Sequence, residues 1–394
     1  MSWNSFRNGL QTVHLWAGLV LSIPFILIGV TGSIIVLIDG VSDLPIPSIT
    51  RGEPQSLQRI YEAAKSAAPA GWSVAALVLP SREGEAVGAQ LQLPPGRRPA
   101  GGGQNFIGST LYIDPVSLKI LDNVERRRAG PFMRSLTSLH IALMVPGFYG
   151  VRIVGFMGLA MSLFGITGLV LWWPRRGQWR QAFWLKRGVK GFRWHRDLHG
   201  ATGFWSLIVF MILSISGVYL AFPVTFQSTV GSIVPVQSGL TEVHVDQATI
   251  ASIPDKAAIT PDDAVKLALA GVAHARVLSV QLPPDPGGIY MVALAPRPYG
   301  DDAPQISAFI GPGTEISDVV DPRSYSLAKR VLMWLRVLHY GNGLGVVWRA
   351  LVFFAGFLPL LFAITGVRMW WLKRAQRRQV IGVPEGAGAL SAAE

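Results

Sequence analysis

Four apolar runs, about Val13–Ile38, Val151–Trp173, Ala201–Phe222 and Val346–Trp371, decide most of what this chain can fold into. Each is long enough to cross the roughly 30 Å of bilayer hydrocarbon, which takes about 20 helical residues. In lipid a segment has to satisfy its own backbone N–H and C=O groups, so runs of this kind become helices and group into a bundle. The composition agrees, with 50% of the 394 residues hydrophobic and only 15% charged. The first run is expected to be a retained helix, because its apolar core is too long for a cleaved signal.

Basic residues orient the runs. Arg175, Arg176, Arg180, Lys186, Arg187, Lys190, Arg193 and Arg196 crowd the short connection between the second and third, against the one acid Asp197. Short loops rich in Lys and Arg stay in the cytoplasm, and Lys373, Arg374, Arg377 and Arg378 put the C-terminus on the same side. Both termini are then cytoplasmic, and the two long connections lie outside, in the periplasm of a bacterial inner-membrane protein. The net charge of +12 belongs mostly to this rim facing anionic lipid, so no nucleic-acid partner is expected. The absence of cysteine excludes thiolate metal sites and iron–sulfur clusters.

The chain also repeats itself. "HLWAGLVLSIPFILIGVTGSIIVL" and "HGATGFWSLIVFMILSISGVYLAF" each place a glycine four residues after the histidine (Gly18, Gly203) and another eighteen after it (Gly32, Gly217). A second pair, beginning "LHIALMV" and "LHYGNGL", runs in both copies to Ile-Thr-Gly, Trp-Trp and basic residues. The segments between match as well: "LQRIYEAAKSAAPAGWSVAALVLP" resembles "PDDAVKLALAGVAHARVLSVQLPP", a helix followed by alternating, strand-like stretches. The expected fold is an α-helical membrane protein of four transmembrane helices from two parallel repeats, with two small, separate α+β external domains. The expected order is helix one at 1–38, first external domain at 39–138, an external helix and helix two at 139–173, and a basic loop at 174–198. Helix three follows at 199–222, the second external domain at 223–330, an external helix and helix four at 331–372, and a cytoplasmic tail at 373–394.

Five of the seven histidines fall at the ends of these helices. His14 pairs by repeat with His199 at the inner side, and His140 with His339 at the outer side. His195, one turn before His199, is an alternative inner ligand or a supporting or proton-handling group, and because the first copy has leucine at the matching position it ranks below His199. An imidazole at membrane depth is costly without a partner, which makes each a functional candidate. Zinc and copper usually recruit a third or fourth donor, and the helices hold almost no acid. Haem needs two axial ligands from facing helices, room beside the backbone and basic groups for its propionates. The expected cofactor is therefore haem b, two per chain, with iron held by His14 and His199 and by His140 and His339. Arg152 and Arg349, matched between the copies, would meet outer propionates. No separate catalytic residue is expected. Trp72, Tyr112, Tyr290 and Tyr299 would shape a docking surface on the external domains.

"VHLWAGL", "SLHIALMVPGFYG", "WHRDLHGATGFW" and "VLHYGNGLG" around four helices, with modules ending like "LYIDPVSLKILD", resemble the PepSY-associated transmembrane family over nearly the whole chain. That family includes iron-regulated membrane proteins and a ferrisiderophore reductase. The resemblance implies an inner-membrane protein with periplasmic PepSY-like domains and haem b between the helices. It implies a ferric-siderophore reductase that passes electrons across the membrane to periplasmic ferric siderophore and releases Fe(II). The chain has no flavin or nicotinamide motif, so its electron donor would be a membrane quinol or a separate flavin reductase. Two alternatives stand beside it. One is a siderophore or iron-complex transporter, disfavoured by four helices expected to be unbroken and poor in buried polar groups. The other is a non-catalytic regulatory or peptide-binding membrane protein.

Overall fold

A computed structural model describes residues 2–41, 49–80, 82, 84–94, 107–125, 131–174, 177–186, 188–236, 259–272, 274–285, 287–296, 303–311 and 316–381. They divide into two compact units, Met1–Val36 with Leu136–Pro223 and Ala350–Glu394, and Leu37–Ser135 with Val224–Arg349.

The first unit is a helix bundle. Its elements are α1 (Trp3–Val41), part of α3 (Pro131–Ala142), α4 (Phe148–Trp172), the short α5 (Trp179–Ala182) and α6 (Gly191–Ala221). Four helices are long and apolar enough to cross a membrane: Trp3–Ile38, Phe148–Trp172, Gly191–Ala221 and Gly345–Gln376. The first and third begin well before the apolar runs that mark them in the sequence, so His14 and His199 stand inside continuous helix rather than at its start. Small residues bring α4 against α6. A Cβ at Gly155 would overlap the Phe222 ring, and one at Gly158 would lie 3.2 Å from the Ser214 carbonyl oxygen.

The fourth span is broken, contrary to expectation. It follows α7 (Pro223–Gly231), α8 (Pro261–Gly271) and α9 (Leu327–His339) in the chain and consists of α10 (Gly345–Ala355) and α11 (Leu358–Ile381), interrupted at Gly356 and Phe357. Pro359 supplies the cause, because it has no N–H for the carbonyl one turn earlier. The backbones of Gly29 on α1 and Gly356 meet so closely that neither has room for a Cβ. Ser33 Oγ, in a residue only 1% exposed, donates to the Phe353 carbonyl at 2.6 Å beside the break.

The second unit is built on an antiparallel sheet of β1 (Ser73–Val78), β2 (Val87–Gln92), β3 (Ile107–Ile113), β4 (Ile120–Glu125), β5 (Ala275–Gln281), β6 (Tyr290–Pro296), β7 (Ile306–Ile310) and β8 (Ile316–Val320). The strand order is β4-β3-β2-β1-β5-β6-β7-β8. Two separate α+β domains were expected, but their first strands pair: Ala76 with Gln281, Leu77 with Val280 and Val78 with Ser279. Unpaired, β1 and β5 would each be an open, largely apolar edge, and joining them removes both. The helix α2 (Leu57–Ala67) lays Ile60 and Ala64 on Leu77, Leu91, Leu111 and Ile113, while α8 lays Ala264 and Ala268 on Val280, Val292, Leu294 and Ile306. Leu57 packs against both cores. Of the proline- and glycine-rich stretches 93–104 and 295–305, which the sequence marks as insertions in the external domains, residues 95–104 and 297–302 lie outside the described residues.

Two carboxylates hold this unit at places where backbone donors would otherwise be stranded. Asp262, in the first turn of α8, accepts from the N–H groups of Leu57 (2.8 Å) and Gln58 (2.8 Å), and so caps α2 across the seam between the halves. Asp114, 1% exposed in the Asp-Pro turn between β3 and β4, accepts from the Thr50 hydroxyl and N–H, the Ser117 hydroxyl and the Val116 N–H. Burial alone would raise its pKa, but these four donors hold it well below the ordinary carboxylate range.

Replacing Asp262 by Ala should speed amide exchange at Leu57 and Gln58 about fivefold, in line with a cap worth about 1 kcal/mol, with little change in the strands. Unchanged exchange at both would show that the cap is ornamental. Because the folded pKa of Asp114 is depressed, its stabilisation is complete above the ordinary carboxylate pKa and is lost as pH falls below it. Amide protection at Val116 should therefore drop below about pH 4, and Asp114→Asn should remove that pH dependence.

Candidate functional site

The four spans enclose a cavity of about 1000 Å³, at the top of the size range of small-molecule sites. One face of every span contributes: Arg7, His14 and Gly18 from α1, Phe164 and Gly168 from α4, Arg196, His199 and Gly203 from α6, Phe362, Gly366 and Lys373 from α11. Basic residues gather at one end, Arg7, Lys186, Arg196 and Lys373 against the single acid Asp197. Apolar residues, Phe25, Phe210 and Pro359, line it further along the helices. Pro359, in the first turn of α11 after the interruption, is the lining residue nearest to it; Gly356 and Phe357 do not line the cavity. At the basic end Trp172 stacks on Phe204 with ring centres 4.4 Å apart and donates its indole N–H to the Ala182 carbonyl, tying α5 to the bundle.

Within the cavity two constellations match position for position. His14 Nδ1 lies 2.8 Å from Thr167 Oγ1, and His199 Nδ1 lies 2.7 Å from Thr365 Oγ1. Each threonine Oγ1 also lies 2.8 Å from the carbonyl four residues earlier on its own helix, Leu163 or Leu361, so each hydroxyl stands between its own helix and an imidazole of another. Phe164 meets His14 with ring centres 4.8 Å apart, and Phe362 meets His199 at 4.9 Å. Gly168 leaves 3.7 Å between its would-be Cβ and the His14 ring, and a Cβ at Gly366 would meet nothing within 4 Å. No further hydrogen bond is made by either imidazole among the described residues, so Nε2 of each is left for another partner.

The other candidates are placed differently. His195 does not line the cavity; its Nδ1 is buried without a hydrogen-bond partner and its ring lies edge-on to Trp194 at 4.9 Å. His199, rather than His195, thus shares the cavity with His14. His140 Nδ1 donates to the Ile28 carbonyl of α1 at 2.9 Å, and its ring occupies the space that a Cβ on Gly32 would need. His339 ends α9 in the other unit, beside Tyr340. Arg152 lies over the Phe148 ring at 4.1 Å, and Arg349 donates to Asn342 Oδ1 at 3.1 Å. Of the aromatic residues expected on a docking surface, Trp72 packs into the core under α2 and covers Gly108, and Tyr290 donates its hydroxyl to the Ile259 carbonyl. Tyr112 is half-buried on β3, and Tyr299 lies outside the described residues.

These placements correct the cofactor. Among the described residues no group of three or more His, Cys, Asp or Glu side chains comes together to hold a metal ion. The two haems b expected from the histidine pairs, with iron on His14, His199, His140 and His339 and propionates at Arg152 and Arg349, are accordingly withdrawn. His140 is committed to the α1 backbone, and the outer pair is divided between the two units. Thr167, Thr365, Phe164 and Phe362 were not singled out in the sequence, although the repeated Ile-Thr-Gly was their signal.

A bundle of four apolar spans around a cavity, combined with a β-rich unit, defines a polytopic membrane protein. The chain belongs to the PepSY-associated TM region family, which matches residues 11–373. No curated protein matches it.

Replacing Thr365 by Val should strip His199 Nδ1 of its hydrogen-bond partner, at a cost of about 1–3 kcal/mol for a buried polar atom left unpaired. The expected signature in the wild type is a single tautomer of each histidine, one ring nitrogen protonated and the other not, in the ¹⁵N spectrum. That tautomer should become mixed at His199 in Thr365→Val and be preserved in Thr365→Ser.

Proposed function

We propose that the protein is an inner-membrane carrier for a siderophore or its iron complex, which binds in the cavity of the helix bundle. The observation that carries this proposal is the cavity of about 1000 Å³ lined by all four spans, with Pro359, just past the interruption of the fourth, in its wall. Transporters place their substrate sites between helices near membrane depth, and an interrupted helix beside the site is common among them. The surplus of basic side chains at one end suits an anionic group on the cargo, and the apolar remainder suits its body. The iron-acquisition setting comes from the family resemblance. The orientation proposed with it keeps both termini in the cytoplasm, the β-rich unit in the periplasm as two PepSY-like domains, and the halves as parallel repeats. The basic loop of short length and the matched His-Thr-Phe constellations support that arrangement.

A second function, reduction of an external ferric siderophore with a membrane quinol as electron donor, is favoured by one feature. Two imidazoles whose Nε2 makes no hydrogen bond among the described residues, together with apolar walls, suit the cavity to a quinol.

Filling the cavity tests the carrier. Gly366 has open space beside it, so Gly366→Phe should leave expression and the fold intact while projecting into the ligand volume. Accumulation of a radiolabelled siderophore, free or iron-loaded, by membrane vesicles carrying the variant should fall at least tenfold. Undiminished accumulation, or none by the wild type, would sink the carrier proposal.

A further inference from the structure

The cavity is long for its volume. Residues of α1 line it in every turn, Arg7, Gln11, His14, Gly18, Ser22 and Phe25, so it follows that helix rather than sitting at one level of the bundle. At a rise of about 1.5 Å per residue, Arg7 to Phe25 spans about 27 Å, and Lys373 to Pro359 on α11 spans about 21 Å. A volume of about 1000 Å³ spread over that length leaves a mean width of about 6–7 Å. Carbon atoms in contact stand about 4 Å apart, so this width admits one hydrocarbon chain and excludes two side by side, or a compact chelate folded round an ion. The two ends ask different things of a ligand. At the basic end Arg196 gives both its hydrogen bonds to Asp197 Oδ1, at 3.1 Å and 2.8 Å, and no other carboxylate lines the cavity among the described residues. Arg7 donates to the Leu171 carbonyl at 2.7 Å through Nη2, which leaves its other N–H groups for a second acceptor. Further along, Ser22 and Ser206 donate to carbonyls of their own helices, and Phe25, Phe210 and Pro359 line the far end.

We infer that the cavity takes a linear anionic amphiphile, one extended hydrocarbon chain along the four spans with its tip near Phe25 and Pro359, and a carboxylate or phosphate head at Arg7 and Lys373. This rests on the proposal that the cavity binds a small molecule, and it adds the shape and the chemical class. Apolar walls this close together touch a single chain on all sides and forfeit that contact when the space is unfilled. The head is drawn to the end where cations outnumber the one acid. Two sources have this chemistry. An acidic phospholipid of the surrounding bilayer would insert one acyl chain, and a free single-chain molecule, such as a cargo with a fatty-acyl tail, would enter by that tail. For the carrier, the part of a siderophore that enters the spans is then an acyl tail and not the chelating group.

The test uses the purified full-length chain in nanodiscs of zwitterionic phosphatidylcholine. Hexadecyl phosphate with a photoreactive diazirine at its chain tip is added, with the matching hexadecanol as the uncharged comparison, and labelled positions are mapped by mass spectrometry. Ile23 and Ile208, 68% and 75% exposed on the same helices as Phe25 and Phe210, report labelling from bulk lipid. Relative to them, Phe25, Phe210 and Pro359 should be labelled at least tenfold more by the phosphate than by the alcohol, the factor expected from a hydrogen bond to a charged group. Arg7→Gln combined with Lys373→Gln should bring the phosphate down to the level of the alcohol and leave Ile23 and Ile208 unchanged. A competition in the wild type does not depend on the variant folding: unlabelled hexadecyl phosphate should displace the probe from the cavity, and ferrichrome, a compact ferric chelate without a tail, should not. Equal labelling of the cavity by phosphate and alcohol overturns the anionic head. Labelling of Phe25 and Phe210 no stronger than that of Ile23 and Ile208, or displacement by ferrichrome as effective as by hexadecyl phosphate, overturns the chain. Either result with siderophore accumulation intact leaves the carrier standing, whereas cavity labelling without accumulation supports the amphiphile site and overturns the carrier. Displacement by dipalmitoyl phosphatidylglycerol assigns the site to a bilayer lipid, and displacement by hexadecyl phosphate alone assigns it to a free single-chain molecule.

Discussion

Hydrocarbon offers no hydrogen bonds, so every polar atom carried into the spans has to find its partner on protein. Most of the hydroxyls in this bundle solve the problem locally. Ser162, Ser206, Ser214 and Ser216 donate to a carbonyl four residues earlier on their own helices. Such back-bonding costs little. Other hydroxyls reach beyond their own helix. Ser33 donates to Phe353 beside the break, Thr31 stands 3.4 Å from His140 Nδ1, and Thr167 and Thr365 each meet both a carbonyl of their own helix and a histidine on another. The bundle's cross-links are thus a few polar contacts laid over close packing of small residues.

The two constellations join α1 to α4 and α6 to α11 by the same four residue types. Their correspondence makes a structural role and a ligand role equally subject to duplication, so the symmetry alone does not choose between them. Both histidines line the same cavity, and in each the nitrogen that is not engaged by threonine makes no hydrogen bond among the described residues.

Much of this was legible in the residues. Run length and apolarity placed four spans, and repeat register paired His14 with His199. The rest depended on contacts between distant segments, which periodicity does not encode. The partner of His14 is Thr167, 153 positions away, and a threonine in an apolar run looks the same whether it bonds to its own helix or to a histidine. Pro359 was visible, yet a proline in a span kinks, breaks or is absorbed according to its neighbours, as Pro24 inside the continuous α1 shows. The external modules were recognisable as helix and strands, but the pairing of β1 with β5 concerns edges, and edge strands carry no distinct pattern. The haem expectation failed for a related reason: register aligned His140 with His339, while packing committed one to the α1 backbone and placed the other in a different unit.

The seam between β1 and β5 has a consequence for how the protein is made. Ala76 is translated long before its partner Gln281, an interval of about 200 residues, or about 10–40 s at the usual rate of synthesis. In that time α4 and α6 must pass into the bilayer while the first half of the sheet waits with one side open and α2 lacks the carboxylate that completes its first turn. A ribosome pausing late in the message would prolong that exposure, and a chain cut off before residue 275 would never end it. Quality control at the membrane has a natural signal in an unpaired β1, since only a finished chain can hide it.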